Sequence, residues 1–187
     1  MPTEYLRYVH AKYFNYNYEE VAPANVKNFI LKDELVLVKG SELVWYFRKG
    51  FPSELCEFYE KMYNQLKAVA PVYERLADDL QAFAAGLPSG LQRHVQCKWW
   101  LYTKTLLHFY RWFIFVYEGK IAYDGNDEKQ MTEKLNAACE SLEEYLSLRK
   151  CAEYGAFENW FRGDLKMNVV QRLLDSRRLL GQIPRNF

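Results

Sequence analysis

Nine apolar residues recur at intervals of three and four along residues 53–85, and this repeat limits the possible folds more than any other feature of the sequence. The nine residues are Leu55, Phe58, Met62, Leu66, Val69, Tyr73, Leu76, Leu80 and Phe83. Because residues three and four apart share one face of an α-helix, the repeat predicts an amphipathic helix ~50 Å long. Pro71 lies inside it and predicts a kink near Val69, with a break into two helices as the alternative.

Three further helices are predicted downstream of this repeat. Similar apolar spacing predicts helices over 89–123 and 127–150, and a shorter helix over 165–180. Gly86-Leu87-Pro88 and Asp124-Gly125 mark short turns between the three long helices, which must therefore alternate in direction. The fold class predicted is all-α: an antiparallel three-helix bundle with additional N- and C-terminal helices packed on it.

The chain before this bundle is harder to interpret. Residues 1–52 are predicted to form an irregular or helical segment that packs on the bundle domain, 53–187. Within it, the apolar runs 35–38 and 43–47 flank Gly40 and fit either a hairpin or two helical turns. We favour helix, because an isolated two-stranded hairpin is only marginally stable and no other strand is predicted.

Charge and hydropathy argue against two classes of partner. The sequence has 25 Lys and Arg against 24 Asp and Glu, which gives no basic field for nucleic acid. The most apolar stretch, 106–117, is shorter than the ~20 residues of a membrane span. We therefore predict neither nucleic acid nor membrane as a partner. The first residues do not resemble a signal peptide, and a chain cut from a longer secreted protein would be periplasmic or secreted, so the sequence assigns no localisation.

No catalytic or metal-binding motif stands out. The four cysteines are far apart in sequence, and the three histidines do not have the spacing of a metal site. We predict no catalytic residue, metal or cofactor, and we expect the cysteines to be small buried hydrophobes. His108 is expected near the core, with a role as general base as the alternative.

Aromatic residues make up 17% of the chain and supply the candidate interface. Helical spacing predicts that Phe58, Trp99, Phe109 and Phe113 belong to the core. Neighbours on a helix point ~100° apart, so adjacent aromatic residues cannot all face one core. The candidate binding residues on this argument are Trp45, Trp100 and Trp112.

A run near the C-terminus carries a family resemblance. Residues 153–168 read EYGAFENWFRGDLKMN, in which glycines permit turns, Trp160 can anchor the segment and Asp164 can cap a following helix. The run resembles a segment in the C-terminal helical accessory region of large bacterial glycoside hydrolases of the gut Bacteroidetes type. Phe161 stands where those proteins more often carry Tyr.

The resemblance implies carbohydrate metabolism, with catalysis in a separate barrel domain. It implies that this chain is a non-catalytic accessory domain whose partner is a catalytic module of the same or a longer protein. It adds Trp160, Arg162 and Asp164 as candidate contacts to that module or to carbohydrate. The alternative from the residues alone is a free-standing helical module that binds a partner protein through an exposed aromatic face.

Overall fold

The computed structural model describes residues 44, 46–51, 53–152 and 169–181, all within one compact unit, Ser41–Phe187. The predicted all-α bundle is confirmed. Its elements are α1 (Ser53–Ala85), α2 (Ser89–Val95), a π-helical turn (Gln96–Trp100), α3 (Leu101–Asp124), α4 (Glu128–Ala152) and α5 (Val169–Leu179).

The second predicted helix exists, but it contains a widened turn. Val95 and Leu101, on either side of the π turn, both have helical backbone angles, so α2 continues into α3 without a break. The amide of Leu101 donates to the carbonyl of Gln96, five residues back rather than four. This π turn holds one more residue than an α-helical turn would.

The central element is α3, and its neighbours run antiparallel to it. Arg111 on α3 pairs with Glu74 on α1 at 2.6 Å, whereas Glu118, two turns further along α3, meets α1 residues that come before Glu74. On the other side Glu118 pairs with Lys134 near the start of α4, and Phe109 meets Tyr145 near its end. The short helix α5 packs on α4 and reaches α3.

The core is built around α3, which is buried on most of its circumference. A helix that is apolar on several faces needs neighbours on several sides, and α1, α4 and α5 supply them. Phe109 and Phe113 are buried as predicted, whereas Phe58 and Trp99 are only half-buried. The largest fully buried side chains are Trp112, Tyr59, Phe47, Phe109, Phe113, Leu107, Leu135, Leu142 and Val116.

The buried face of α1 agrees with the predicted stripe at Met62 and Leu66 but departs from it further along the helix. Three alanines at intervals of seven, Ala70, Ala77 and Ala84, lie buried along this helix. In contrast, Leu76 is 41% exposed and Phe83 is 60% exposed, although both were predicted to be core. Small residues let two helices approach closely, so the alanines rather than the larger residues face the helices that pack on α1. The alternative break at Pro71 is wrong, because α1 runs through it.

Two residues define the junction between α3 and α4. Asn126 has a φ of 57°, and the amide of Asp127 donates to the carbonyl of Ala122 at 2.9 Å. This is a Schellman ending with asparagine in the left-handed position that glycine usually fills. The Asp127 carboxylate then accepts a hydrogen bond from the amide of Gln130 at 2.9 Å, so Asp127 caps α4.

Other predictions fall partly outside the described residues. Val44 and Tyr46 are helical, which agrees with the helix favoured there, but residues 35–43 and 45 lie outside the described residues. So do residues 153–168. The fourth predicted helix is present as α5, but its predicted first residues, 165–168, lie outside the described residues. Leu91 and Tyr102, placed in the second apolar stripe, are exposed.

Candidate functional site

The structure locates two of the six candidate binding residues. Trp100 lies in the π turn and Trp112 lies on α3. Trp45, Trp160, Arg162 and Asp164 fall outside the described residues. The candidates therefore do not form one site that the structure can describe.

Trp112 is not an interface residue. Its side chain is fully buried, and its indole Nε1 donates to the hydroxyl of Ser176 on α5 at 3.1 Å. That hydroxyl in turn donates to the carbonyl of Arg172 at 2.8 Å, one turn earlier on α5. The prediction of an exposed Trp112 is wrong because α5 covers the face of α3 that was expected to be open. Trp112 thus ties α5 to the core.

Trp100 remains a candidate. Its side chain is half-buried, and its indole Nε1 is buried without a hydrogen-bond partner among the described residues. A buried N–H group usually has a partner in protein or ordered water. The π turn that carries it is a kind of distortion often found near functional sites. Both observations make this turn a candidate site for a bound hydrogen-bond acceptor.

Arg172 is a buried cation that the sequence analysis did not single out. Its guanidinium carbon lies 5.6 Å from the ring centre of Phe109 and 5.4 Å from that of Trp112. Burial lowers the pKa of Arg172 to about 10 from 12.5. Stacking on aromatic faces suits the planar guanidinium, which is more weakly hydrated than an ammonium. The arginine therefore stabilises the contact between α5 and α3, and its position inside a helical apolar repeat was the only signal for it.

Glu118 joins three helices through its carboxylate. One oxygen accepts a hydrogen bond from the hydroxyl of Tyr63 at 3.0 Å and lies 3.4 Å from the ammonium of Lys67, both on α1. The other accepts from Lys134 on α4 at 2.8 Å. Burial alone would raise the pKa of Glu118, but the hydrogen bonds and charges of Lys134, Tyr63 and Lys67 outweigh it and lower the pKa. The carboxylate is thus occupied in holding the bundle together.

Lys120 is another charged residue inside the bundle. It is only 4% exposed, and its ammonium pairs with the carboxylate of Asp124 one turn later. The same ammonium lies 5.4 Å from the ring centre of Phe51 and 5.8 Å from that of Tyr123. Cations favour the faces of aromatic rings. Lys120 therefore fastens the segment that precedes α1 to the end of α3.

His108 lies half-buried on α3. Burial lowers its pKa below the ordinary value of 6.5, and the charges of Arg111 and Lys104 act in the same direction against Glu144 and Glu74. The imidazole is accordingly neutral at pH 7, with the protonation state of a base. Among the described residues, however, no group of three His, Cys, Asp or Glu side chains converges.

The cysteines differ from the prediction. Only Cys139 is buried, and burial raises the pKa of its thiol to about 11. Cys56 and Cys151 are exposed, and Cys97 is half-buried. All four are free thiols, in agreement with their separation in sequence.

Among the described residues, two sets of exposed apolar side chains are relevant to binding. The first, which we call the α1 stripe, consists of Val72, Leu76 and Phe83 with Asp79 between them. The second, which we call the end surface, comprises apolar residues of α2, the π turn and the start of α5. They are the exposed Leu91 and Val170 and the half-buried Trp99 and Trp100. Within the part of the chain that the structure describes, every helix is too short or too polar to cross a membrane.

Comparisons with protein-family models, with curated proteins and with solved structures found no match to this chain. A function for this chain is therefore inferred from its own sequence and geometry.

Proposed function

We propose that this chain is a non-catalytic helical accessory domain of a carbohydrate-active enzyme, and that it packs against the catalytic module of a glycoside hydrolase. The resemblance of residues 153–168 to the accessory region of such enzymes supports the carbohydrate setting. Exposed apolar residues in the described part of the bundle support the docking role.

The observation that carries this proposal is the exposure of apolar side chains on the end surface, part of which adjoins the resembling stretch in sequence. Helix α4 ends at Ala152 and α5 begins at Val169, so Val170 follows residues 153–168 closely along the chain. Leu91 is 57% exposed and Val170 is 56% exposed there. Apolar residues grouped on a surface usually mark contact with another protein surface. The end surface is therefore the proposed docking site.

The use of polar groups inside the bundle supports a scaffold rather than an active site. Glu118, Lys120 and Trp112 each bond to a side chain of the protein itself, and two of the three connect different helices. An active site instead leaves acids, bases or donors directed at a space where substrate binds. These polar contacts thus stabilise the bundle and do not indicate a reaction.

The α1 stripe favours a second candidate, a free-standing helical interaction protein. Val72 and Leu76, half or nearly half exposed, lie on the other side of α1 from the polar contacts to α3. Such a protein would need no catalytic module. The cross-linking experiment below separates the two candidates.

Cross-linking from the end surface tests the docking role. A photoreactive phenylalanine analogue is placed at position 91 or 170 of the chain expressed in its source organism, with position 121 as control, because Ile121 is 54% exposed at the opposite end. We expect positions 91 and 170 to cross-link to a glycoside hydrolase module, and position 121 not to. Cross-links from 91 and 170 only to a polypeptide without glycosidase activity would favour the interaction protein.

A second measurement tests the absence of catalysis. The purified 187-residue chain is incubated with a panel of aryl glycosides and plant and microbial polysaccharides. We expect no release of aglycone or reducing sugar. Turnover that disappears on His108→Ala while the thermal melt is unchanged would contradict the proposal and identify an enzyme.

A further inference from the structure

The α1 stripe has a charge arrangement that selects its partner. Val72, Leu76, Asp79 and Phe83 follow one another at intervals of four, three and four, so all four lie on one face of α1. Val72 is 50% exposed and Phe83 is 60% exposed. Asp79 places a carboxylate within an otherwise apolar surface. A wholly apolar partner would bury this charge without a counter-charge, which is costly.

Arg75 lies at the edge of the same surface. Neither Arg75 nor Asp79 has an ion-pair partner among the described residues, and both are exposed. Arg75 precedes Asp79 by one turn of helix. The stripe therefore carries both members of an ion pair that it does not close within its own chain.

A second copy supplies the missing charge. When two α1 helices lie antiparallel about a two-fold axis near Ala77 and Asp78, Val72 of one copy stands at the height of Phe83 of the other. Arg75 of one copy then lies within one residue, ~1.5 Å along the axis, of the height of Asp79 in the other. A two-fold axis brings the same edge of both stripes together, so the two Arg75–Asp79 pairs form at once.

We propose that the α1 stripe is a self-association surface, through which two copies of this chain form an antiparallel α1–α1 dimer closed by reciprocal Arg75–Asp79 ion pairs. The contact extends ~17 Å along one helix, which is small beside the ~800 Å² per partner of stable interfaces. We therefore expect a weak dimer with a dissociation constant on the order of 10 µM or above. The proposal is independent of docking at the end surface.

Sedimentation velocity of the full chain over a roughly hundred-fold range of concentration measures the association. We expect a reversible shift from monomer to dimer. Leu76→Asp should weaken the dimer at least about tenfold, since it buries an additional unpaired charge. Val170→Asp and Leu91→Asp, which alter exposed apolar residues outside the stripe, should leave it unchanged. Circular dichroism melts establish that each variant is folded.

Charge reversal tests the register. Arg75→Asp and Asp79→Arg should each weaken self-association, because each makes both reciprocal pairs repulsive. An equimolar mixture of the two single variants should dimerise again, since each chain then meets the opposite charge at both positions. The double variant Arg75→Asp/Asp79→Arg should also dimerise.

Three results would overturn the proposal. They are a wild-type chain that is monomeric at every concentration, a dimer indifferent to Leu76→Asp, and single variants that do not associate when mixed. Loss of the dimer in Leu76→Asp with unchanged cross-linking from positions 91 and 170 would leave the proposed function intact. The two proposals can therefore fail separately.

Discussion

Helices α1 and α3 have similar sequence signatures, yet they occupy opposite environments. Both carry large apolar residues at helical spacing. Helix α3 has neighbours on most sides, whereas α1 is covered mainly by α3 and by the π turn that precedes α3. On α3, Trp112 and Phe113 are fully buried. On α1, Leu76 and Phe83 are exposed while Ala77 and Ala84 are fully buried. Burial thus depends on how many neighbours a helix has and how closely they approach.

The alanine repeat explains which face of α1 is chosen. Helix axes lie 8–10 Å apart depending on the side chains at the contact. Ala70, Ala77 and Ala84 are buried and allow α1 to approach the helices packed on it closely, and Tyr73 meets Tyr110 of α3 with 5.3 Å between ring centres. The larger residues that lie next to these alanines in sequence then point toward solvent.

Truncation of one large residue on each helix is the strongest test of this contrast. Trp112→Ala should lower the free energy of unfolding by ~4 kcal/mol, because it leaves a large cavity and removes the hydrogen bond to Ser176. Leu76→Ala on α1 should change it by no more than ~0.5 kcal/mol. Urea melts measure both values. Similar losses for the two variants would mean that the exposed face of α1 has been assigned wrongly.

Substitution of two glycines sharpens the contrast at a smaller scale. A Cβ on Gly119 would lie 3.4 Å from Cγ and Cδ2 of Leu135, whereas one on Gly90 would meet nothing within 4 Å. Gly119→Val should therefore cost ~2 kcal/mol by forcing α4 away from α3. Gly90→Ala should be neutral or gain ~0.5 kcal/mol. Thermal melts that rank the two variants in the opposite order would contradict close packing around α3.

A third test concerns Glu118, one of the polar links between the two helices. Its folded-state pKa lies below the ordinary 4.5, so it stabilises the fold above that pH and loses the effect as the pH falls through the lowered pKa. Glu118→Gln should cost ~1 kcal/mol at pH 7, and its difference from wild type should close under acid. Urea melts between neutral and acid pH measure this gap. Glu74→Gln, with a more exposed carboxylate, is the control, and a gap that persists in acid would exclude the ionic mechanism.

The smallest expected effect lies at the end of α3. Asn126 holds a left-handed conformation, so Asn126→Gly should gain ~0.5 kcal/mol and Asn126→Ala should lose ~1 kcal/mol. The preceding Gly125 has a φ of −80°, and Gly125→Ala should be tolerated. Differential scanning calorimetry resolves these shifts. Equal effects of alanine at both positions would show that the left-handed residue is misassigned.

The sequence predicted the helices well because their signals are local. The first predicted helix matches α1 at both ends, and the second and third differ from the structure by one or two residues. Apolar spacing, capping residues such as Asp127, and glycine or proline breakers act over a few residues, which a sequence displays directly.

The helix that each residue contacts could not be predicted in the same way. Trp112 was expected at the surface because α5, sixty residues later, could not be placed on α3 by spacing. The alanines of α1 carried a usable signal, a repeat of seven, but large residues on the adjacent face dominated the pattern. Arg172 was missed because a buried arginine depends on two rings of another helix. Such contacts join residues distant in sequence, and local patterns do not record them.

The π turn at 96–100 has a consequence for how the length of this chain can vary. Because it accommodates a single inserted residue, deleting one residue there would restore a regular α-helix and rotate all of α2 by ~100° relative to α3. Leu91 would then face a different side of the bundle, with every helix still present. Loss of one codon at this position would thus rotate α2 and redirect the surface around Leu91, while the core around Trp112 would stay as it is.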